Sequence, residues 1–297
     1  MSVEFCGLSL AHPIVNGSGT FDAIAARRAF GKALDDAFPF SAFVSKTITL
    51  RARPGNPPPR LWEAPAGLIN SIGLPNRGLQ GYLSCDLPEL STLPVPLITN
   101  VMGSTIDEFM QLAEACQAHE PICAIELNVS CPNVKTGLDI GADPVQLGRL
   151  VAAVRPRTSK PVIVKLTPNC ADVVACANAA ADAGADAVSL INTLRAMALA
   201  PAGPHERRAA ARPWLGGRTG GLSGAAVRPV ALAQVAAVAG SVSLPVVGMG
   251  GVQSASHARD LLDVGARLVA VGTESFRDPA AGSRIARELC GPPVGSG

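Results

Sequence analysis

Eight short apolar runs recur along the chain, and the spacing between them constrains the fold more than any other feature. They are "PIVN" (13–16), "SAFVSK" (41–46), "PLITNV" (96–101), "AIELNV" (124–129), "PVIVKL" (161–166), "DAVSLIN" (186–192), "PVVGMG" (245–250) and "ARLVAVG" (266–272). Runs that are apolar throughout, rather than alternating, belong to strands covered on both faces, as in a parallel sheet. Helical patterns lie between many of them: "STIDEFMQLAEACQA" (104–118) opens on a Ser/Asp cap signal, "CADVVACANAAADAG" (170–184) ends on glycine, and 225–240 carries Pro229 near its start, where a helix tolerates it. "DPVQLGRLVAAVRP" repeats the rhythm. Eight β/α units in 297 residues predict an α/β fold, a (β/α)8 TIM barrel. An open doubly wound sheet is the alternative.

Two segments break the repeat, 48–95 after the second run and 193–224 after the sixth. Loops of that length in compact proteins are usually functional or disordered, and on a barrel the loops after strands build the active-site face. Long insertions at the C-terminal face of a single barrel domain over 1–297 are therefore expected. With 48% hydrophobic and 16% charged residues the chain is globular, and with only 4% aromatics Ala, Val and Leu must fill its core.

A net charge of +2 with no dense Lys/Arg cluster argues against nucleic acid. "MSVEFCGLSLAHPIV" lacks the layout of a signal peptide, and no uninterrupted apolar stretch is long enough to span a membrane, so a cytoplasmic protein is expected. None of the eight cysteines forms C-x-x-C and no His pair has metal spacing, which favours free thiols and no metal.

Polar residues stand at the strand ends: Ser18, Lys46, Asn100, Asn128, Lys165 and Asn192. Each alone is compatible with a satisfied structural role. A barrel gathers all six at one mouth, which suits a flat, polar ligand. Glycine-rich ends, "GGLSG" (220–224), "GMGG" (248–251) and "VGT" (271–273), fall in or just before the last two units, where barrels commonly bind phosphate. No G-x-G-x-x-G fingerprint followed by an acidic residue is present, which disfavours a Rossmann dinucleotide site. Lys165 lies inside a strand-like run. Either it pairs with a buried carboxylate, or it stabilises negative charge on a reduced flavin; Lys46 invites the same reading for an anionic ligand. Just past a strand end, "ELNVSCPNVKTG" (126–137) sets Cys131 among hydrogen-bonding rather than packing residues.

Taken in order, "SKTITL…GNPPPRLWEAPAGLINSIGLPNRG", "ELNVSCPNVKTG", "VKLTPN", "INTL", "GGLSG", "GMGG" and "VGT" resemble class 1 dihydroorotate dehydrogenase over about residues 11–275, and "NVSCPNVK" with "NTL" is most similar to its NAD-linked branch. The resemblance implies an FMN-bearing barrel that oxidises dihydroorotate to orotate, a homodimeric core, and a separate iron–sulfur flavoprotein subunit carrying FAD, since this chain has no iron–sulfur cysteine spacing. Another FMN barrel acting on a pyrimidine-like ring, or a non-catalytic ligand-binding barrel, remain the alternatives.

By position the resemblance makes Cys131 the catalytic base. It implies substrate contacts from Lys46, the loop Asn70, Ser71, Ile72, Gly73 and Leu74, and Asn128, Asn133, Asn192 and Thr193. For FMN it implies Ser18, Lys46, Thr47, Asn100, Asn128, Lys165 and Ile191, with Gly224, Gly250, Gly251, Gly272 and Thr273 about the ribityl chain and phosphate. The chain departs from the family pattern at Asp22, Leu138 and Ala196. Oxidation removes a proton from C5 and a hydride from C6, so the expected chemistry needs a base, which a thiolate can supply, and a hydride acceptor.

Overall fold

The structure is a computed structural model and describes residues 2–129, 140–201 and 212–291. All eight apolar runs form parallel strands of one sheet: Ile14–Asn16, Phe43–Val44, Leu97–Val101, Ile122–Asn128, Val162–Lys165, Ala187–Leu190, Val246–Met249 and Leu268–Val271, numbered one to eight below. From strand two onward each pairs with the next in sequence, and strand eight returns to strand one, so the only neighbours without a ladder are strands one and two. Between strands one and two the seam is closed by Ser41 N donating to Ile14 O at 3.0 Å and by the side chain of Asn16, which bonds both backbone groups of Val44. The closed barrel, not the open sheet, is the fold.

Strand parity sorts the side chains. One core cluster lies inside the barrel and includes Val15, Ala42, Val44, Ile98, Ala124, Ile163, Ala187, Val247 and Leu268. The same cluster takes in Val3, Phe5 and Leu10 from an N-terminal hairpin, Val3–Phe5 paired with Leu8–Leu10. That hairpin, absent from the sequence-based expectation, plugs the bottom of the barrel. The alternate residues, such as Ile125, Leu127, Val162 and Val164, pack outward in a second cluster with helix residues such as Leu112 and Leu150.

The helices follow their caps. Ile106–Gln117 starts on Thr105, whose hydroxyl accepts from Glu108 N; the signal read at Ser104 and Asp107 thus brackets the true cap. Asp143 caps Pro144–Val154 and Asp172 caps Val173–Asp182. Pro229 sits in the first turn of Arg228–Ala239. Asp22, one of the departures from the family pattern, caps Ala23–Phe30 through Ala25 N.

The two insertions are not structureless. Leu61–Ala64 and Gly67–Asn70 from the first join Leu194–Ala196 and Gly220–Ser223 from the second in a four-stranded antiparallel sheet. Because both insertions leave the C-terminal ends of barrel strands, this sheet belongs to the mouth.

Candidate active site

Climbing the inner wall, the side chains change from small and apolar to polar. Ile98 is followed two residues on by Asn100, Ala124 by Glu126 and Asn128, Ile163 by Lys165, and Ala187 by Ser189. Strand register sets the levels: Asn100 is level with Glu126, while Asn128, Lys165 and Ser189 are level with one another, one step nearer the mouth.

Glu126 ties these groups together. Its Oε1 accepts from Asn100 Nδ2 at 2.5 Å and faces Lys165 Nζ at 3.8 Å; its Oε2 accepts from Ser189 Oγ at 2.8 Å. The lysine and glutamate side chains are only 7% and 5% exposed, so each charge needs the other. The carboxylate pairing expected as one reading of Lys165 is therefore real. Asn100 Oδ1 is buried with no hydrogen-bond partner among the described residues.

Around the rim from this cluster, Ser18 Oγ donates to Ser45 O at 2.8 Å and lies 3.4 Å from Thr47 Oγ1, which accepts from Asn128 Nδ2 at 3.2 Å. Lys46 is exposed beside them. After strand six, Asn192 Oδ1 accepts from Thr193 N at 2.8 Å, and Asn169 Nδ2 holds Thr193 O at 2.9 Å. Ile191 is buried, and the peptide joining it to Leu190 is cis. In the loop between Asn169 and the next helix, Cys170 donates to Thr167 O at 3.3 Å. A hydrogen bond from Cys176 draws the Cys170 thiol down to about 7, against its partial burial, and holds Cys176 protonated.

The 70–74 loop joins the mouth through the antiparallel sheet. Asn70 Nδ2 donates to Gly221 O at 3.3 Å, Ser71 Oγ accepts from Asn56 Nδ2 at 2.9 Å, and Ile72 O accepts from Asn56 N at 3.0 Å. Gly73 and Leu74 both turn through positive φ, +75° and +53°. Ala196 lies in the same sheet, paired with Gly220.

Three glycine stretches distant in sequence converge. Thr273 Oγ1 donates to Ser223 Oγ at 2.8 Å, and Gly251 turns at φ +71° so close to Gly224 that an added Cβ would lie 2.9 Å from Gly224 O. The backbone N–H groups of Gly250, Gly251 and Gly272 donate to no carbonyl among the described residues, and a Cβ on Gly272 would meet only Thr20 Cγ2, at 3.6 Å. Uncommitted N–H donors on an open glycine surface suit a phosphate. The unpartnered Asn100 Oδ1 suits the polar edge of a ring. On both counts these residues fit FMN.

Cys131 and Asn133, the expected base and its neighbour, lie outside the described residues, as does Leu138. Strand four, which leads to them, ends at Asn128. Sequence reasoning missed Glu126, Ser189 and Ser45, whose hydroxyl accepts from Asn100 N at 3.1 Å. The available signal was parity: Glu126 is the sole acidic residue of the eight barrel strands and shares a face with Asn128.

The family model described as dihydroorotate dehydrogenase matches residues 1–291. Among curated proteins, the catalytic subunit of dihydroorotate dehydrogenase B (NAD(+)) from Citrifermentans bemidjiense is 43% identical over 97% of this chain and 92% of its own length. Proteins of the same name from Desulforudis audaxviator and Geobacter sulfurreducens are 45% and 42% identical, each over 97% of this chain and over 91% and 92% of their own lengths.

Proposed function

The chain belongs to the dihydroorotate dehydrogenase family, and from that we propose how its barrel mouth carries out the family's reaction. The protein is an FMN-dependent oxidoreductase that converts (S)-dihydroorotate to orotate in pyrimidine biosynthesis. Bound FMN supplies the acceptor for the hydride that leaves C6.

The protein's own side chains do the rest. Cys131 removes the C5 proton, leaving the electron pair to form the ring double bond. Asn128, Asn133, Asn192 and Thr193, with the Asn70–Leu74 loop, hold the amide and carboxylate edges of the substrate and fix which face it presents. Lys46, exposed at the rim, offsets the carboxylate charge. Lys165 and Asn100 meet the polar edge of the flavin together with Ser18, Thr47 and Ile191. Gly224, Gly250, Gly251, Gly272 and Thr273 take the ribityl phosphate. The observation that carries this assignment is the convergence of the three glycine stretches, with uncommitted N–H groups, beside a buried polar wall.

Relatives named as catalytic subunits imply a partner subunit for electron transfer. We read that partner as an iron–sulfur protein carrying FAD, and the catalytic chain as one FMN-binding barrel domain that forms a homodimer in the cytoplasm. Exposed Leu61, Met197, Leu199 and Trp214, with Trp62 edge-on to Trp214 at 5.4 Å, support an interface on the mouth sheet.

Anaerobic titration of the purified, FMN-loaded chain with dihydroorotate tests the reading. Stoichiometric bleaching of the flavin absorbance is expected. A chain that holds FMN and stays oxidised acts on some other ring, and one that binds no FMN contradicts the assignment.

A further inference from the structure

We propose that Glu126 is a positioning residue that sets the redox poise of the flavin by fixing both Lys165 and Asn100 from below. The inference rests on the FMN reading above and deepens it.

A carboxylate inside a barrel is costly unless every oxygen is engaged. Glu126 meets that condition with three partners from three other strands: Asn100, Lys165 and Ser189. The division of labour is informative. The two short bonds come from neutral donors, and the lysine stands off at 3.8 Å, beyond the length of a charge-assisted bond. Lys165 is thus held by charge rather than by a committed hydrogen bond, and its donors stay available. Register places Lys165 one step nearer the mouth than Glu126, so the pair is a dipole with its positive end toward the ligand.

The same carboxylate orients Asn100. By taking Nδ2 at 2.5 Å it leaves Oδ1 as the group with no partner among the described residues, a buried acceptor ready for a ring N–H. One residue that touches no ligand therefore presents a cation and an acceptor together. It also cancels most of the lysine charge, so an oxidised, neutral ring sits beside a nearly neutral pair. Without Glu126 the full positive charge would act on the ring and favour its reduced, anionic form.

The test is the midpoint potential of FMN bound to the full chain at pH 7, in Glu126→Gln, Lys165→Met and the double variant. Glu126→Gln is expected to shift the ratio of reduced to oxidised flavin at least tenfold toward reduced, about 30 mV more positive for two electrons. In the Lys165→Met background the same change is expected to shift the potential by well under half as much, since only the contact to Asn100 is left to lose. An unchanged potential in Glu126→Gln, or an equal shift in both backgrounds, overturns the proposal. If Glu126→Gln does not fold, Glu126→Asp decides: it keeps the charge but draws it back from Asn100, so FMN affinity of the apoprotein should fall at least threefold with the potential near that of the parent. Unaltered affinity overturns the proposal. Wild-type protein that fails to bind FMN refutes the underlying reading instead, and is told apart by that result alone.

Discussion

Asn16 acts as a length of backbone at the seam of the barrel: its Nδ2 donates to Val44 O at 2.8 Å and its Oδ1 accepts from Val44 N at 2.7 Å. Strand two is only two residues long and shares no ladder with strand one. Asn16→Ala should leave both Val44 groups buried and unpaired, at about 1–3 kcal/mol each. A loss of about 2–6 kcal/mol in urea unfolding, at unchanged m-value, is expected. Asn16→Asp should be no better, since a carboxylate cannot donate to Val44 O.

Gly251→Ala should weaken FMN binding at least tenfold. The residue turns at φ +71°, and a Cβ would press on Arg228 Cβ at 2.7 Å and on Gly224 O at 2.9 Å, opening the glycine junction. Gly7→Ala is the control. Its φ of +79° carries similar backbone strain, but nothing lies within 4 Å, and FMN affinity should be unaltered. Fluorescence quenching of FMN titrated with apoprotein checks both.

What the sequence revealed and what it hid divide along the range of the interactions. Strand existence is local, so all eight runs were readable from continuous apolar patches, and strand-end residues such as Asn100 and Lys165 came with them. The mouth sheet was not readable, because Gly67–Asn70 pairs with Gly220–Ser223 some 150 residues away and both strands are short and glycine-rich. The plug was hidden for a similar reason: Phe5 resembles any terminal apolar residue until the barrel exists to receive it. Glu126 was visible as a letter, but its meaning depends on Asn100 and Ser189 on other strands.

The thiols should show a pH-dependent contrast. Cys170 is held down to about 7 by Cys176, and the thiolate is the nucleophile. Its alkylation by iodoacetamide should therefore climb roughly tenfold per pH unit below 7 and level off above it. Cys176, buried and kept protonated, should stay unlabelled until the protein unfolds. Peptide mass spectrometry over pH 5–9 distinguishes this from a Cys170 that titrates like an ordinary thiol near 9.

The isolated chain should reduce small dyes with dihydroorotate but not NAD. It has no second nucleotide fingerprint, and substrate bound as proposed would occupy the flavin face that a nicotinamide needs. Adding the electron-transfer subunit should confer NADH formation. Rapid NADH formation by the chain alone would show that it carries a nicotinamide site of its own.

The central claim is that this barrel oxidises dihydroorotate with a base at position 131, and stopped-flow reduction of the bound flavin tests it most directly. Mixing FMN-loaded wild-type protein with dihydroorotate under anaerobic conditions should bleach the flavin in a fast phase. Cys131→Ala should bind FMN as well as the wild type but be reduced about 10²–10⁴-fold more slowly, the usual cost of losing a general base. Cys131→Ser should also be slow near neutral pH. Reduction of Cys131→Ala at the wild-type rate would contradict the account.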